Sequence, residues 1–547
     1  MIRGHQLLAK ALKQQGVDTM FFLMGGPNID AARSITELGM KMIDVRHEQS
    51  AAMMAQAYAR LRNRPGVCMA ASGPGTINLI TGVATAMADA TPLVVFGGSG
   101  AIRTYDLGSF QDVDQVAMMK PVTKLALRVY ETRRIPEYVD RAFRQAMAGK
   151  PGPVYLDFPG DILHQGVPEE DVVWPRRIEE AQIDRPAASP KALDKAVAML
   201  GEAEKPVIIT GSGIIWSKAY DQLRDFVETA GVPFYTTPQG RGVIPEDHEY
   251  FYGRARSTAL READVVVVAG TRLNYMFGTG RAPRFSKNAR FIRIDVDPLE
   301  VASNDPVELV MIGDAGTVLD QLTDRIRNSG LKERYAPWRK QLADYDASRA
   351  GAQEEQMSTN QTPIHPLRLC KEVRDFLKRD SVLSVDGQEI LNYGRQSIPT
   401  YTPGHRMNSG TFGTMGVGLP FGIGAKAACP EKEVVVLHGD GSFGMNAMEL
   451  DTADRHGLPV LVIISLNGGW TADPNQEKVG RNLRYTRYDK IAEELGCHGE
   501  FVQKPEDIRP ALDRARKAVE GGRSAVVNVE TDWAALAKTL DFTAYRT

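Results

Sequence analysis

Short runs rich in valine and isoleucine recur along this chain, each closing on glycine or proline and each followed by a longer stretch with apolar residues at helical spacing. That alternation restricts the fold more than any other feature. Strands that read as near-continuous apolar runs need cover on both faces, and helical crossovers between parallel strands supply it. The chain therefore reads as α/β throughout. With 547 residues and roughly 100 to 200 residues per domain, the pattern must repeat in about three domains, each large enough to bury a core of its own.

The first set of strands is predicted at Met20–Met24, Met42–Val45, Gly66–Ala71, Leu93–Gly97 and Val154–Phe158. The second is predicted at Val207–Thr210, Val232–Thr236, Asp264–Ala269 and Phe291–Asp295, and the third at Val382–Val385, Val434–His438, Val460–Ser465 and Ala525–Val529. Residues 166–190 are rich in Pro, Glu, Asp and Arg without apolar period and are expected to form a surface linker, and residues 331–362 a second polar connection. Three doubly wound parallel-sheet domains result, at 1–165, 190–330 and 363–547.

Charge and cysteine usage narrow the function. The 66 basic and 68 acidic side chains leave a formal charge of −2 with no long basic block, so nothing points to nucleic acid. Cys68, Cys370, Cys429 and Cys497 are scattered without a CxxC pair, which suggests neither a zinc cage nor a disulfide framework. The longest apolar runs, such as Pro459–Leu466, fall far short of the ~20 residues that span a bilayer, and the amino terminus lacks a secretory h-region. A cytoplasmic protein with no membrane partner is expected.

Two strand ends carry the strongest chemical signal. Gly439-Asp440-Gly441-Ser442 follows the strand predicted at Val434–His438, and Asn467-Gly468-Gly469 follows the next one. Ligands in open α/β sheets bind outside the carboxyl ends of strands. There Asp440, the Asn467 amide oxygen and the Gly469 carbonyl offer hard oxygen ligands of the kind that let magnesium hold a diphosphate. The glycines let backbone N–H groups approach phosphate oxygens, and the segment after Ser442 is placed to start a helix with its positive end toward the anion. Taken alone, a Gly-Asp-Gly-Ser loop is more often simply a tight turn. A second segment, Asp44 to Arg60, puts Glu48 at a strand-to-helix junction before a helix of small residues; alone, Glu48 reads as well as a helix-capping glutamate.

Asp440 and Asn467, 27 residues apart on a strand–helix–strand segment, resemble the cofactor motif of thiamine-diphosphate enzymes, in which Gly-Asp-Gly is followed one strand later by Asn-Asn. Leu466 stands where the first of those asparagines falls, and Asn467 where the metal-binding second one does. The Arg46-His47-Glu48 stretch is similar to the family's Arg-His-Glu segment. The resemblance implies that Glu48 is the carboxylate hydrogen-bonded to N1′ of the cofactor's aminopyrimidine, which lets the 4′-amino group take the proton from C2. It further implies that Gly410 to Gly418 wraps the middle of the cofactor, the Gly413 carbonyl receiving the 4′-amino group and Met415 holding the cofactor bent; the plain alternative for Met415 is a core methionine. The loops at Met24-Gly25-Gly26-Pro27-Asn28 and at Ser72, Gly73 and Asn78 resemble the pyrimidine-side loops. The resemblance covers essentially the whole chain and implies thiamine diphosphate and Mg2+ as cofactors, with a homodimer or homotetramer whose active sites lie at subunit interfaces.

The finer resemblance is to the branch of 2-hydroxyacyl-CoA lyases and oxalyl-CoA decarboxylases. Phe110-Gln111 matches the lyases, where the decarboxylases have Tyr-Glu, and implies that Phe110 and Gln111 face the reacting atoms. The stretches from Gln239 through Arg241, Asn274 and Asp295 to Asn304-Asp305-Pro306 resemble the middle-domain segments that hold the ADP part of coenzyme A. Arg241, Asn274, His405, Arg406 and Arg546 are the implied coenzyme A contacts, a guanidinium matching phosphate oxygens in bidentate geometry; solvated surface arginines are the alternative. Asn467-Gly468-Gly469-Trp470-Thr471 completes the cofactor-binding set and departs from the decarboxylases at Trp470 and Thr471. The resemblance thus implies a lyase that cleaves the C1–C2 bond of a 2-hydroxyacyl-CoA to formyl-CoA and an aldehyde or ketone. Phe542 to Thr547 is either a lid over the site or a frayed tail. Within the family, an oxalyl-CoA decarboxylase or an acetolactate synthase-like carboligase carrying FAD is the competing reading; outside it, a nucleotide-binding scaffold that has lost catalysis.

Overall fold

The structure, a computed structural model, describes residues 1–176, 184–301, 307–471 and 479–537. It holds two compact units: Met1–Ala350 with Tyr401–Gly404 and Gly410–Phe412, and Gly351–Thr400 with His405–Ser409 and Gly413–Thr547.

Three parallel sheets carry the fold. In the first unit, β1 (Thr19–Phe22), β2 (Lys41–Asp44), β3 (Gly66–Ala70), β4 (Leu93–Ser99), β5 (Leu125–Arg128) and β6 (Pro153–Pro159) pair in the order β2-β1-β3-β4-β6-β5. The same unit contains β7 (Val207–Thr210), β8 (Phe234–Thr236), β9 (Val265–Ala269), β10 (Arg290–Asp295) and β11 (Leu309–Ile312), in the order β8-β7-β9-β10-β11. In the second unit, β12 (Val382–Asp386), β13 (Arg406–Met407), β14 (Val434–Gly439), β15 (Leu461–Leu466), β16 (His498–Val502) and β17 (Ala525–Glu530) run β13-β12-β14-β15-β17-β16. The first and third sheets therefore share one topology. In each, the first strand lies between the second and third, so the chain leaves it in opposite directions and opens a crevice at the carboxyl ends.

Period-two alternation explains why these runs form strands. In the second sheet Val265, Val267 and Ala269 join Ile208, Ile292 and Ile294 in one core. The intervening Val266 and Val268 join Val207, Ile209 and Phe291 in another. Each such side chain contributes about 1.5–3 kcal/mol on full burial, and helices on both faces provide it.

Four strands of these three sheets lie outside the predicted set: β5, β11, β13 and β16. Each is a sheet edge. An edge strand is covered less, so its sequence is less apolar. In β11, Leu309 and Met311 are buried while Val310 and Ile312 are 36% and 38% exposed, and β13 spans only two residues. Residues 331–362 are not merely a polar connection: they contain helices Leu331–Arg334 and Ala336–Met357. The signal is sparse because few apolar anchors hold this region; Tyr335 donates its hydroxyl to the Leu200 carbonyl at 2.6 Å and Trp338 its indole N–H to the Pro206 carbonyl at 3.2 Å. Within the expected linker 166–190, Gly166 and Val167 pair antiparallel with Arg3 and Ile2.

Candidate active site

In the second unit, three strand ends converge on one cleft. Gly387, Gln388 and Glu389 follow β12, Gly439 to Ser442 close β14, and Asn467, Gly469, Trp470 and Thr471 follow β15; Met415 completes the lining. The helix Asp440–Asn446 begins at Asp440 itself, with Gly439 as its cap, three residues earlier than the sequence suggests. Asp440 is 1% exposed. Its Oδ1 accepts the Gly441 N–H at 2.9 Å, while Oδ2 is buried and has no hydrogen-bond partner among the described residues. Burial pushes its carboxyl up to about 7, against the pull of the Gly441, Gly468 and Gly469 N–H groups. Asn467 Oδ1 accepts the Gly469 N–H at 3.3 Å, and the Thr471 hydroxyl donates to Gln388 Oε1 at 3.0 Å. A buried carboxylate oxygen left over by the protein, in a cleft that Asn467 and Gly469 also line, suits a hard cation. Among the described residues no group of three His, Cys, Asp or Glu side chains converges to hold a metal ion.

Two residues behind the cleft escaped the sequence reading. His438, fully buried at the end of β14, places Nδ1 3.0 Å from the Ser442 hydroxyl and 3.8 Å from Asp386 Oδ2. Burial alone drives its pKa down to about 3, so it is a neutral imidazole holding Ser442. Asp386 accepts the Gly418 N–H at 2.9 Å and thereby ties β12 to the helix Gly418–Ala428. The signal for Gln388 and Glu389 was present: they follow an apolar strand and a glycine, as Asp440 does.

The pyrimidine-side residues gather in the first unit at the ends of β1 to β4. Glu48 opens the helix Glu48–Arg62, is 7% exposed, and accepts the Asn78 amide at 3.0 Å. Ser72 donates its hydroxyl to Gln111 Oε1 at 2.6 Å and makes a longer contact, 3.4 Å, with the Gly26 carbonyl. Gln111 has φ +59°, a left-handed conformation that non-glycine residues seldom adopt. Gly73, φ +58°, packs so tightly there that a Cβ would lie 2.7 Å from the Gln111 carbonyl oxygen. Gly25 abuts Ala71 in the same way. Phe110 is 85% exposed.

Three family models cover the chain in order: the N-terminal binding domain of thiamine pyrophosphate (thiamine diphosphate) enzymes matches residues 2–118, their central domain 193–322, and their C-terminal binding domain 391–529. The chain is also 31% identical over 563 residues to the 2-hydroxyacyl-CoA lyase 1 of Homo sapiens, spanning 99% of this chain and 96% of that protein. It belongs to the thiamine-pyrophosphate enzyme family. Other relatives carry other names. The oxalyl-CoA decarboxylase of Escherichia coli is 32% identical, spanning 98% of this chain and 96% of its own. The acetolactate synthase large subunit of Mycobacterium tuberculosis is 34% identical, spanning 96% and 95%. Identity alone does not separate these activities.

The residues singled out for coenzyme A are differently placed from one another in this thiamine-pyrophosphate enzyme. Arg241 is occupied by Glu246: Nε donates to Oε1 at 2.7 Å and Nη2 to Oε2, with both side chains buried. It is thus an internal ion pair rather than a surface guanidinium, and Gln239 beside it binds Arg60 and Asp89. Asn274 Oδ1 accepts the Met276 N–H at 3.0 Å and shapes its own turn. In the second unit, Arg406 is 1% exposed within β13, again not a surface group, and His405 Nδ1 lies 3.0 Å from the Asp380 carbonyl oxygen. Arg546, the rest of Phe542 to Thr547, and Asn304-Asp305-Pro306 lie outside the described residues.

Proposed function

We propose that the protein is a thiamine-diphosphate-dependent carbon–carbon lyase that cleaves the C1–C2 bond of a 2-hydroxyacyl-CoA, giving formyl-CoA and an aldehyde or ketone, and that runs in reverse as a condensation. The observation that carries this reading is the Ser72–Gln111 pair. Because Ser72 donates to Gln111 Oε1, the amide nitrogen is left as the donor toward a reacting oxygen. A neutral amide orients that oxygen without adding the charge a glutamate would bring.

When bound, thiamine diphosphate supplies a carbon nucleophile and an electron sink. Glu48 holds its carboxylate, braced by Asn78, for N1′ of the aminopyrimidine. Met415 and the Gly413 carbonyl serve the middle of the cofactor. Gly439, Gly441, Ser442, Trp470 and Thr471 cradle the diphosphate, with Asp440, Asn467 and the Gly469 carbonyl as oxygen ligands of Mg2+. Phe110 covers the reacting carbons and Gln111 binds the substrate hydroxyl. The C1–C2 bond breaks, the hydroxyl-bearing carbon departs as the carbonyl product, and the hydroxyl proton ends on the formyl carbon. Asn274 and His405 meet coenzyme A, while Arg241, held by Glu246, and Arg406 are buried inside the fold. A cytoplasmic homodimer or homotetramer, and a carboxy-terminal segment that closes over the site, complete the proposal.

Co-purified thiamine diphosphate together with release of formyl-CoA from a panel of 2-hydroxyacyl-CoA esters is the expected result. Cofactor binding with every thioester left intact would reject the lyase and keep the family. The alternative is a 2-oxo acid carboligase, the activity named in the acetolactate synthase relative, for which flavin absorbance in the purified protein is the discriminating observation.

A further inference from the structure

A second cleft, of about 660 Å³, opens on the first sheet beside its edge strand β5, a size suited to a small ligand. Tyr105, Lys120, Arg128, Tyr138 and Arg141 line it. Of its acidic neighbours, Glu137 takes Arg134 at 3.1 Å, and Asp114 caps a helix by accepting the Ala117 N–H at 3.0 Å. Arg128 is balanced by the fully buried Asp157 at 2.7 Å and stacks 4.2 Å from the Tyr105 ring centroid. Among the described residues Lys120 and Arg141 form no ion pair, and of the lining carboxylates only Asp114 stands against them, so the cleft keeps a net positive charge beside tyrosine rings. That combination selects an anion attached to a planar ring.

The cleft is wired to the site already described. Gln115 donates Nε2 to Asp157 Oδ1 at 2.8 Å and receives the Gly73 N–H on Oε1 at 2.5 Å; Gly73 packs on the Gln111 backbone and Ser72 binds its side chain. The segment from Tyr105 to Lys120 thus presents Tyr105, Asp114 and Lys120 to the cleft, and sets Gln111 against Ser72 and Gly73. We propose that this cleft binds a phosphorylated planar ligand of the nucleoside-monophosphate class, and that occupancy biases the Phe110–Gln111 segment through Arg128, Asp157 and Gln115. The coupling rests on the reading that Gln111 serves the active site; the binding does not.

Calorimetric titration of the holoenzyme with AMP tests the binding without reference to turnover. One AMP per chain is expected, weakened about tenfold in Lys120→Glu and in Arg141→Glu, with basal activity and melting temperature unchanged. Absent saturable binding, or binding that survives both substitutions, overturns the site. Inorganic phosphate binding as tightly as AMP, or adenosine doing so, overturns the ligand class. Because coupling is reciprocal, AMP affinity measured with and without thiamine diphosphate and Mg2+ should differ about fivefold, and Arg128→Met should bring the two values together. Equal affinities in the wild type overturn the coupling, and a difference that persists in Arg128→Met overturns its route.

Discussion

The indole of Trp470 sits on the α-carbon of Gly441, where a Cβ would lie 2.7 Å from Cε3. The neighbour is a side chain anchored by its own loop, so Gly441→Ala forces the Trp470 loop outward at the cleft wall. Overpacking of this kind costs about 1–3 kcal/mol. Gly441→Ala is expected to lower the melting temperature modestly and to raise the dissociation constant for thiamine diphosphate by at least about tenfold, measured by tryptophan fluorescence. Unchanged cofactor affinity would mean that the Trp470–Gly441 contact does not shape the site.

Gln111 keeps its unusual backbone because Ser72 and Gly73 grip it. Ser72→Ala removes one hydrogen bond, worth about 1 kcal/mol, and frees the amide to rotate, so kcat for thioester cleavage should fall about fivefold with little change in KM. Gln111→Glu keeps an acceptor for the Ser72 hydroxyl but places a charge where the reacting oxygen gathers negative charge; a loss of at least about 100-fold in kcat is expected. Steady-state kinetics on one 2-hydroxyacyl-CoA checks both, and wild-type rates in Gln111→Glu would remove this residue from the reaction.

Asp440 has one oxygen satisfied by its own helix and one left over. A cation is the natural partner for the second. Asp440→Asn preserves the shape and removes the charge, so Mg2+-dependent retention of thiamine diphosphate should drop by about 100-fold or more, and excess chelator should produce the same loss in the wild type. Cofactor held equally well without divalent metal would sink the assignment.

The sheet centres were legible because the residues that dictate them are the ones burial demands. β3, β9 and β14 are buried over nearly their whole length, and β9 and β14 each open on an unbroken run of valines. The edges were not legible, since β5 and β16 mix polar and apolar residues and depend on one neighbour for their register. The cleft in the second unit followed the same rule: Asp440 and Asn467 sit on punctuated strand ends and stand out in the sequence, whereas His438 is inside the strand and looks like any core position. Long-range pairs were the hardest. Nothing near Asp89 announces Gln239, 150 residues away, and even the pair Arg241–Glu246, five residues apart, has no sequence signal.

Asp89 offers a prediction on pH. Its carboxylate is 3% exposed and accepts the Thr411 N–H at 3.0 Å and the Gln239 amide at 3.0 Å, with the Gln56 amide at 3.4 Å. Gly410, φ +59°, brings its backbone so close that a Cβ would lie 2.0 Å from Asp89 Oδ2. Burial pushes the carboxyl from an ordinary 3.8 up to about 6, against the Thr411 N–H and the charge of Arg60. Between those two values the folded chain holds a proton that the unfolded chain has released. The stability tied to this group is therefore fully present below about pH 4 and is lost as pH rises through about 6. Asp89→Asn removes the titration while keeping an oxygen for Thr411. Its melting temperature should gain on that of the wild type as pH rises from about 4 to about 7, with a relative slope of up to about 1.4 kcal/mol per pH unit. Asp386, likewise raised to about 6 by burial, titrates in both proteins and cancels in the comparison. Calorimetry on the two proteins across that interval decides the matter: parallel curves would show that Asp89 keeps its charge in the folded chain throughout.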